Sequence, residues 1–182
     1  MIERILRLIR MDFSVFKEIE SDPSATTEAA IVVAVSTLLS ALGSAIGSDQ
    51  PTTGFIASVI SGIVGWLVWS AVTYIVGKSV FKGGGTLEQM LRVLGYASVP
   101  NILGVFSFIP CFGWIAGFAG WILALVAGVM AIKEAMDVEL GTAIGVTVVG
   151  AIAMGIVFAI IGLIFGGAVA IGAVILGLLG RQ

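Results

Sequence analysis

The sequence predicts an all-α protein, a polytopic bundle of transmembrane helices. Five core spans are expected, followed by a short apolar C-terminal segment that is either a sixth crossing or a tail at the interface, and preceded by an interfacial amphipathic helix. Three observations carry this. Of 182 residues, 59% are hydrophobic and only 11% charged, with a mean hydropathy of +1.17, whereas roughly a quarter of a soluble domain is charged. Whole stretches of about 20 residues carry no charge, the length needed to cross ~30 Å of hydrocarbon. Those stretches are continuously apolar, without the alternating polarity of a transmembrane β-barrel, so helices are the way the chain satisfies its backbone in lipid.

The first 22 residues come before the membrane domain, which occupies 23–182. Ile2, Ile5, Leu6, Ile9, Phe13 and Phe16 fall at helical spacing and form one apolar stripe, with Arg4, Arg7, Arg10 and Lys17 on the other side. Such a helix lies in the plane of the interface with its guanidinium groups among lipid phosphates, each contributing on the order of 1 kcal/mol beside an anionic leaflet. It serves as a membrane anchor or, with Asp12, Glu18 and Glu20, as a docking surface for a cytoplasmic protein. Charged and apolar positions alternate here instead of forming a continuous apolar core, so the first span is expected to act as its own insertion signal.

Asp22-Pro23 then caps and opens a new helix. The spans follow at about 28–46, 54–77, 94–109, 113–132 and 141–165, with the short segment at 168–180. Turn chemistry at Gly47, Ser48, Asp49, Gln50 and Pro51 ends the first. Lys78 ends the second. Pro110 and Gly113 divide the next apolar region into a hairpin turning at Cys111 and Phe112, and Gly166-Gly167 is the expected break in the last. Glu28, near the start of the first span, reads as a carboxylate favoured by the helix dipole or as a proton relay. Trp66 and Trp69 fall mid-span and are expected to fill gaps opposite glycines, while Trp114 suits the outer surface. With six crossings all nine Lys and Arg fall on one side, and with five only Arg181 is misplaced; the positive-inside rule then makes the N-terminus cytoplasmic.

Between the second and third spans, Gly83, Gly84 and Gly85 supply a mobile link, and Thr86 with Gln89 matches a capping box. Leu87, Met90, Leu91 and Leu94 make an apolar face, and Glu88 with Arg92 an i,i+4 pair on the polar side. Pro100 removes a backbone hydrogen bond inside the span that follows, so a kink is expected. The glycines are not a phosphate loop, since no Lys-Ser/Thr follows them at the head of a helix.

The run GGGTLEQMLRVLGYASVP, residues 83–100, resembles the pattern of prokaryotic members of the Yip1 membrane-protein family, in which a glycine loop and short helix lead into Gly-Tyr and a downstream Pro. DFSVFKEIESDP, residues 12–23, resembles the segment before their first span. The resemblance runs from about residue 10 to about 165, with Gly95, Tyr96 and Pro100 its most specific part. It implies five membrane helices in a prokaryotic cell membrane and a cytoplasmic N-terminus. Eukaryotic members are associated with Rab GTPases and vesicle traffic. The absence of a DLWGP-like motif before the first span keeps Rab binding out of what the resemblance implies here.

The chain has no histidine and a single cysteine, Cys111. Neither a metal set nor a nucleophile–base pair can be assembled, so no cofactor, no metal and no enzymatic activity are expected. A net charge of −2 disfavours nucleic acid. Small residues four apart let helices approach closely: Gly43 and Gly47, Ser58 and Gly62, Gly113 and Gly117, Gly120 with Ala124 and Gly128, Ala151 with Gly155 and Ala159, Gly162 and Gly166. They serve packing within the bundle, homo-oligomer formation or lateral binding of another membrane protein. The expected function is that of a membrane scaffold, adaptor or organiser working through the N-terminal helix and the loop around Glu88 and Arg92. The alternative is a small permease or lipid-translocating protein. The candidate motif and hinge is Gly83, Gly84, Gly85, Gly95, Tyr96 and Pro100, and the candidate lipid or partner surface is Arg4, Arg7, Arg10, Lys17, Glu88 and Arg92.

Overall fold

In the computed structural model, residues 1–46 and 51–179 are described, with side chains through residue 160 and at Leu163. In chain order the elements are α1 (Ile2–Ile9), α2 (Val15–Ser21), α3 (Ala25–Ala45), α4 (Pro51–Ser79), α5 (Leu87–Ala97), a 3₁₀ segment (Val99–Phe108), α6 (Phe112–Met136) and α7 (Leu140–Leu179). Among the described residues, four helices are long and apolar enough to cross a membrane: α3, α4, α6 and, within α7, Leu140–Ile160. Helix α5 and the 3₁₀ segment, bent by 41°, are together long and apolar enough for a fifth, broken span or a re-entrant loop. The turn expected at residues 47–50 lies outside the described residues.

Helix α5 sits at the centre, packed against α3, α4 and α6, while α7 packs on both α4 and α6. The 3₁₀ half gives this pair the length of a crossing. A 16-residue α-helix over 94–109 would reach only ~24 Å. The observed span starts at Leu87 and finishes in ten residues of 3₁₀ helix, whose rise of about 2.0 Å per residue gives a total near 36 Å. Pro100 enters in the first turn of the 3₁₀ segment, where its missing N–H costs little. Neighbouring helices grip this thinner helix closely: a Cβ on Gly120 of α6 would lie 2.8 Å from the Pro100 carbonyl oxygen. Ser40 Oγ of α3 donates to the Asn101 carbonyl at 2.7 Å, which is how broken helices are tolerated in lipid.

The amphipathic N-terminal segment is present as two helices, not one. The chain turns at Met11, where φ is +61°, and Asp12 Oδ1 accepts from the Ser14 N–H at 3.2 Å to open α2. Val15, Phe16 and Ile19 of α2 are fully buried against α5 and α6. On α1, Ile2, Leu6 and Ile9 stay exposed along one face.

Helix α7 is unbroken from Leu140 to Leu179, so the expected interruption at Gly166-Gly167 is absent. A glycine inside a helix costs only about 1 kcal/mol, less than leaving backbone groups unbonded in hydrocarbon. Trp69 lies opposite Gly150 of α7, as a gap-filling ring should: a Cβ on that glycine would be 3.7 Å from it.

Candidate functional site

The sequence elements with chemical character converge at one end of the bundle, where α1, α2, the 80–86 loop and the last turn of α6 meet. The Thr86 capping box forms as its spacing requires: Gln89 N–H donates to Thr86 Oγ1 at 3.3 Å and Thr86 N–H donates to Gln89 Oε1 at 2.7 Å. The Gln89 side-chain amide is thereby oriented to donate to Glu20 Oε1 of α2 at 2.9 Å.

One turn further along α5, Arg92 reaches inward. Its Nε donates to Thr26 Oγ1 at 2.6 Å and its Nη1 to the Glu20 carbonyl at 3.0 Å. Its ion pair with Glu88, 3.3 Å away, involves a carboxylate that is 76% exposed, whereas the Arg92 side chain is 9% exposed. The expected surface pair is therefore the outer edge of a buried anchor joining α5 to the end of α2 and the start of α3.

Gly95 and Tyr96 act as a unit against Glu28 and Ala29. A Cβ on Gly95 would lie 2.7 Å from Ala29 Cβ, so glycine is what allows α3 and α5 to cross this closely. The close crossing brings the fully buried Tyr96 to Glu28, and its hydroxyl donates to Glu28 Oε2. Glu28 also receives Arg4 Nη1 at 3.0 Å and faces the N-terminal amine at 3.4 Å. It thus ties α1, α3 and α5 together.

Arg4 and Arg7 turn inward as well. Arg4 pairs with Glu18 at 2.9 Å and Asp22 at 2.7 Å, and Arg7 with Asp12 at 2.9 Å and Glu18 at 3.0 Å. These contacts raise both guanidinium pKa values, through Asp22 first for Arg4 and Asp12 first for Arg7. The carboxylates move the other way. Asp22 is pushed down to about 2, first by the Ser24 hydroxyl and then by Arg4. Asp12 is lowered by Ser14 and then Arg7, and Glu18 mainly by Arg4. Lys17, exposed on α2, pairs with Glu20 at 3.3 Å, which raises its pKa. Arg10 is exposed beside the chain turn.

The glycine loop is docked instead of standing free. Gly84 N–H donates to the Met136 carbonyl at 2.8 Å and Gly83 N–H to the Gly77 carbonyl at 3.0 Å. Gly85 adopts φ +74°, where a Cβ would drive into the Ala135 carbonyl oxygen. The loop thus closes over the C-terminus of α6.

The Yip1 domain family model matches residues 7–162. The chain belongs to the Yip1 domain family. Its Yip1 domain takes in α2 to α6, most of α7's described side chains and the cap apart from residues 1–6, Arg4 among them. An uncharacterised protein of the archaeon Methanocaldococcus jannaschii is 36% identical over 55 residues, 30% of this chain and 38% of that protein. No solved structure matches.

Of the residues singled out from sequence, the cap brings together Arg4, Arg7, Lys17, Gly83, Gly84, Gly85, Glu88, Arg92, Gly95 and Tyr96, while Pro100 lies beyond it in the bend. Glu20, Thr26, Gln89 and Asp22 are the participants sequence reasoning underused. The available signal was that Gln89 is both a capping residue and a spare amide donor. Among the described residues, no group of three or more His, Cys, Asp or Glu side chains is placed to hold a metal ion. Cys111 is exposed at the turn before α6. The arrangement locks helices together.

Proposed function

We propose that this protein is a non-enzymatic organiser or adaptor of a prokaryotic cell membrane, whose working surface is the cap at the cytoplasmic end of its Yip1 domain. The observation that carries this is the Arg92–Glu20–Gln89 network, which fixes α2 and the 86–92 turn as one rigid polar platform. Outward from the platform stand Lys17, Lys82 and Glu88, all exposed, with Arg10 exposed farther along the chain at the end of α1, a mixed-charge surface suited to a protein partner or anionic lipid headgroups. The cytoplasmic assignment is supported by the positive-inside count, since Lys78, Lys82, Arg92, Lys133 and the N-terminal basic residues cluster at this end.

Photo-crosslinking side chains placed at Lys82 and Glu88 of the full-length protein in its own membrane test the reading, with Phe118 on the exposed face of α6 as the control. A discrete protein adduct at the cap positions alone is expected. Adducts no stronger at the cap than at Phe118 would remove the adaptor role. A reporter at the N-terminus that proves extracytoplasmic would overturn the orientation.

The alternative, a small permease or lipid-translocating protein, is favoured by one observation, a hydroxyl-lined cavity among α3, α4, the bent span and α6. Flux through reconstituted vesicles that changes on Pro100→Ala would support it, and flux equal to that of empty vesicles would reject it.

A further inference from the structure

The same cavity has a definable ligand whether or not the cap recruits a partner. It has a volume of about 420 Å³, within the range of roughly 300–1,000 Å³ typical of small-ligand sites. Ser36, Ser40 and Ser44 line it from successive turns of one face of α3, Ser58 lines it from α4, and Ser98 and Asn101 from the bend. Among the described residues, no Lys, Arg, Asp or Glu contributes to the wall.

Three of these hydroxyls have internal partners. Ser40 donates to the Asn101 carbonyl, Ser44 to the Ser40 carbonyl at 2.7 Å and Ser98 to the Gly95 carbonyl at 2.6 Å. Each bonded hydroxyl keeps acceptor capacity toward the cavity. Ser36 differs. It is 2% exposed and its Oγ has no partner, although a helical serine ordinarily bonds the carbonyl one turn back. A buried hydroxyl without a partner is costly and uncommon; Ser70 of α4 has another, away from the cavity, and of the two only Ser36 lines it, where rotation about its Cα–Cβ bond turns the O–H toward a ligand.

The remaining wall is apolar. Trp66 donates its ring N–H to the Leu91 carbonyl at 3.1 Å, which leaves the ring itself as a hydrocarbon surface beside Trp69 and Leu94. Helix α4 packs on α3, α5 and α7, and α6 on the bent span, α2 and α7, so α7 bridges the two as far as Gly150, which meets Thr73 and Trp69; beyond it Gly155 meets nothing within 4 Å, and α4 and α6 have no substantial packing on each other. Elsewhere on the same helices, Ile60 and Val64 of α4 and Trp121 and Leu125 of α6 are exposed, as lipid-facing side chains are. A ligand entering between α4 and α6 comes from the bilayer, and an ionised group would find no counter-charge.

We infer that this cavity binds an uncharged glycerolipid of the diacylglycerol type, one ester carbonyl accepting from Ser36, its free hydroxyl donating to Ser40 Oγ, and its acyl chains leaving between α4 and α6. The polar column, the orphaned Ser36 hydroxyl, the uncharged wall and the lateral gap each match one part of that molecule.

Full-length protein in nanodiscs, labelled with a diacylglycerol carrying a diazirine in one acyl chain and mapped by peptide mass spectrometry, tests it. Gly65 lines the cavity, and a Cβ there meets nothing within 4 Å, so Gly65→Leu occupies the space without striking the backbone. Gly155 is equally open but lies outside the cavity, making Gly155→Leu the control. Labelling of the cavity segments is expected, competed by dioleoylglycerol, reduced about tenfold by Gly65→Leu and several-fold by Ser36→Ala, and unchanged in Gly155→Leu. Should Gly65→Leu fail to fold, Ser36→Ala, which only removes an oxygen, decides alone. Labelling indifferent to the cavity substitution that folds, or competed equally by dioleoylphosphatidylglycerol or hexadecane, overturns the assignment.

Discussion

Replacing Arg92 with methionine should destabilise the bundle far more than removing its ion-pair partner Glu88. The two inward hydrogen bonds, to Thr26 Oγ1 and the Glu20 carbonyl, are charge-assisted and made by a side chain 9% exposed. Bonds of that kind contribute about 1.5–3 kcal/mol each. The cap lies at an interface that water reaches, so the lower end applies and Arg92→Met should cost about 3 kcal/mol, roughly a hundredfold in the folding equilibrium. The Glu88 carboxylate, 76% exposed, contributes no more than about 0.5 kcal/mol, so Glu88→Gln should be nearly silent. Arg92→Lys should fall between, at about 1.5 kcal/mol, because a single ammonium cannot reach both acceptors in the directions the guanidinium does. Reversible unfolding in mixed micelles, titrated with dodecyl sulfate and followed by helical circular dichroism, measures all three. A Glu88→Gln cost equal to that of Arg92→Met would show the surface pair to be the anchor and refute the reasoning.

Two further outcomes follow from the cap. Gly85→Ala combines a positive φ with a collision against a backbone carbonyl and should cost about 2–5 kcal/mol in the same titration; Gly84→Ala, whose Cβ would meet the Met136 carbonyl oxygen at an ordinary 3.4 Å, should cost less than about 1 kcal/mol, and equal costs would count against a docked loop. The pH dependence is also set. Asp12, Glu18 and Asp22 are held below their ordinary values, so the stability they add is complete above pH ~4.5 and is lost as pH falls toward 2, while Arg4 and Arg7 stay charged throughout. A nitroxide at position 3, in Glu3→Cys with Cys111→Ser, should be immobile from pH 8 to 5 and mobile below 3. Mobility already at pH 6 would contradict the assignment.

Much of the fold was legible locally. Thr86 and Gln89 announce the start of α5, Asp22-Pro23 that of α3, and uncharged length announces the spans. What escaped was set by residues far apart. The break at Met11 is stabilised by Arg4 meeting Glu18, Asp22 and Glu28, separated by 14 to 24 positions, and no helical periodicity within α1 reports them. Arg92 looked like half of an i,i+4 pair because Glu88 is its only partner close in sequence; Thr26 and Glu20 are 66 and 72 positions away. Pro100 signalled a bend, but a 3₁₀ segment ten residues long depends on the narrow space left by Gly120 and on Ser40 reaching across. The small-residue spacing divides in the same way. Gly62 and Gly120 meet neighbouring helices, Gly117 and Gly155 meet nothing within 4 Å, and Gly47 lies outside the described residues.

The bent span also fixes an order of biogenesis. Its upper half owes its backbone satisfaction to α3 and its close packing to α6, and its lower half carries an arginine whose acceptors sit on α2 and α3. Alone, such a segment would be a poor substrate for membrane insertion; paired with the α6 hairpin behind it and α3 already in place, it becomes a stable one. A nascent chain halted after Pro110 should therefore fail to hold this span across the bilayer in a glycosylation-mapping assay, and one halted after Asp137 should hold it.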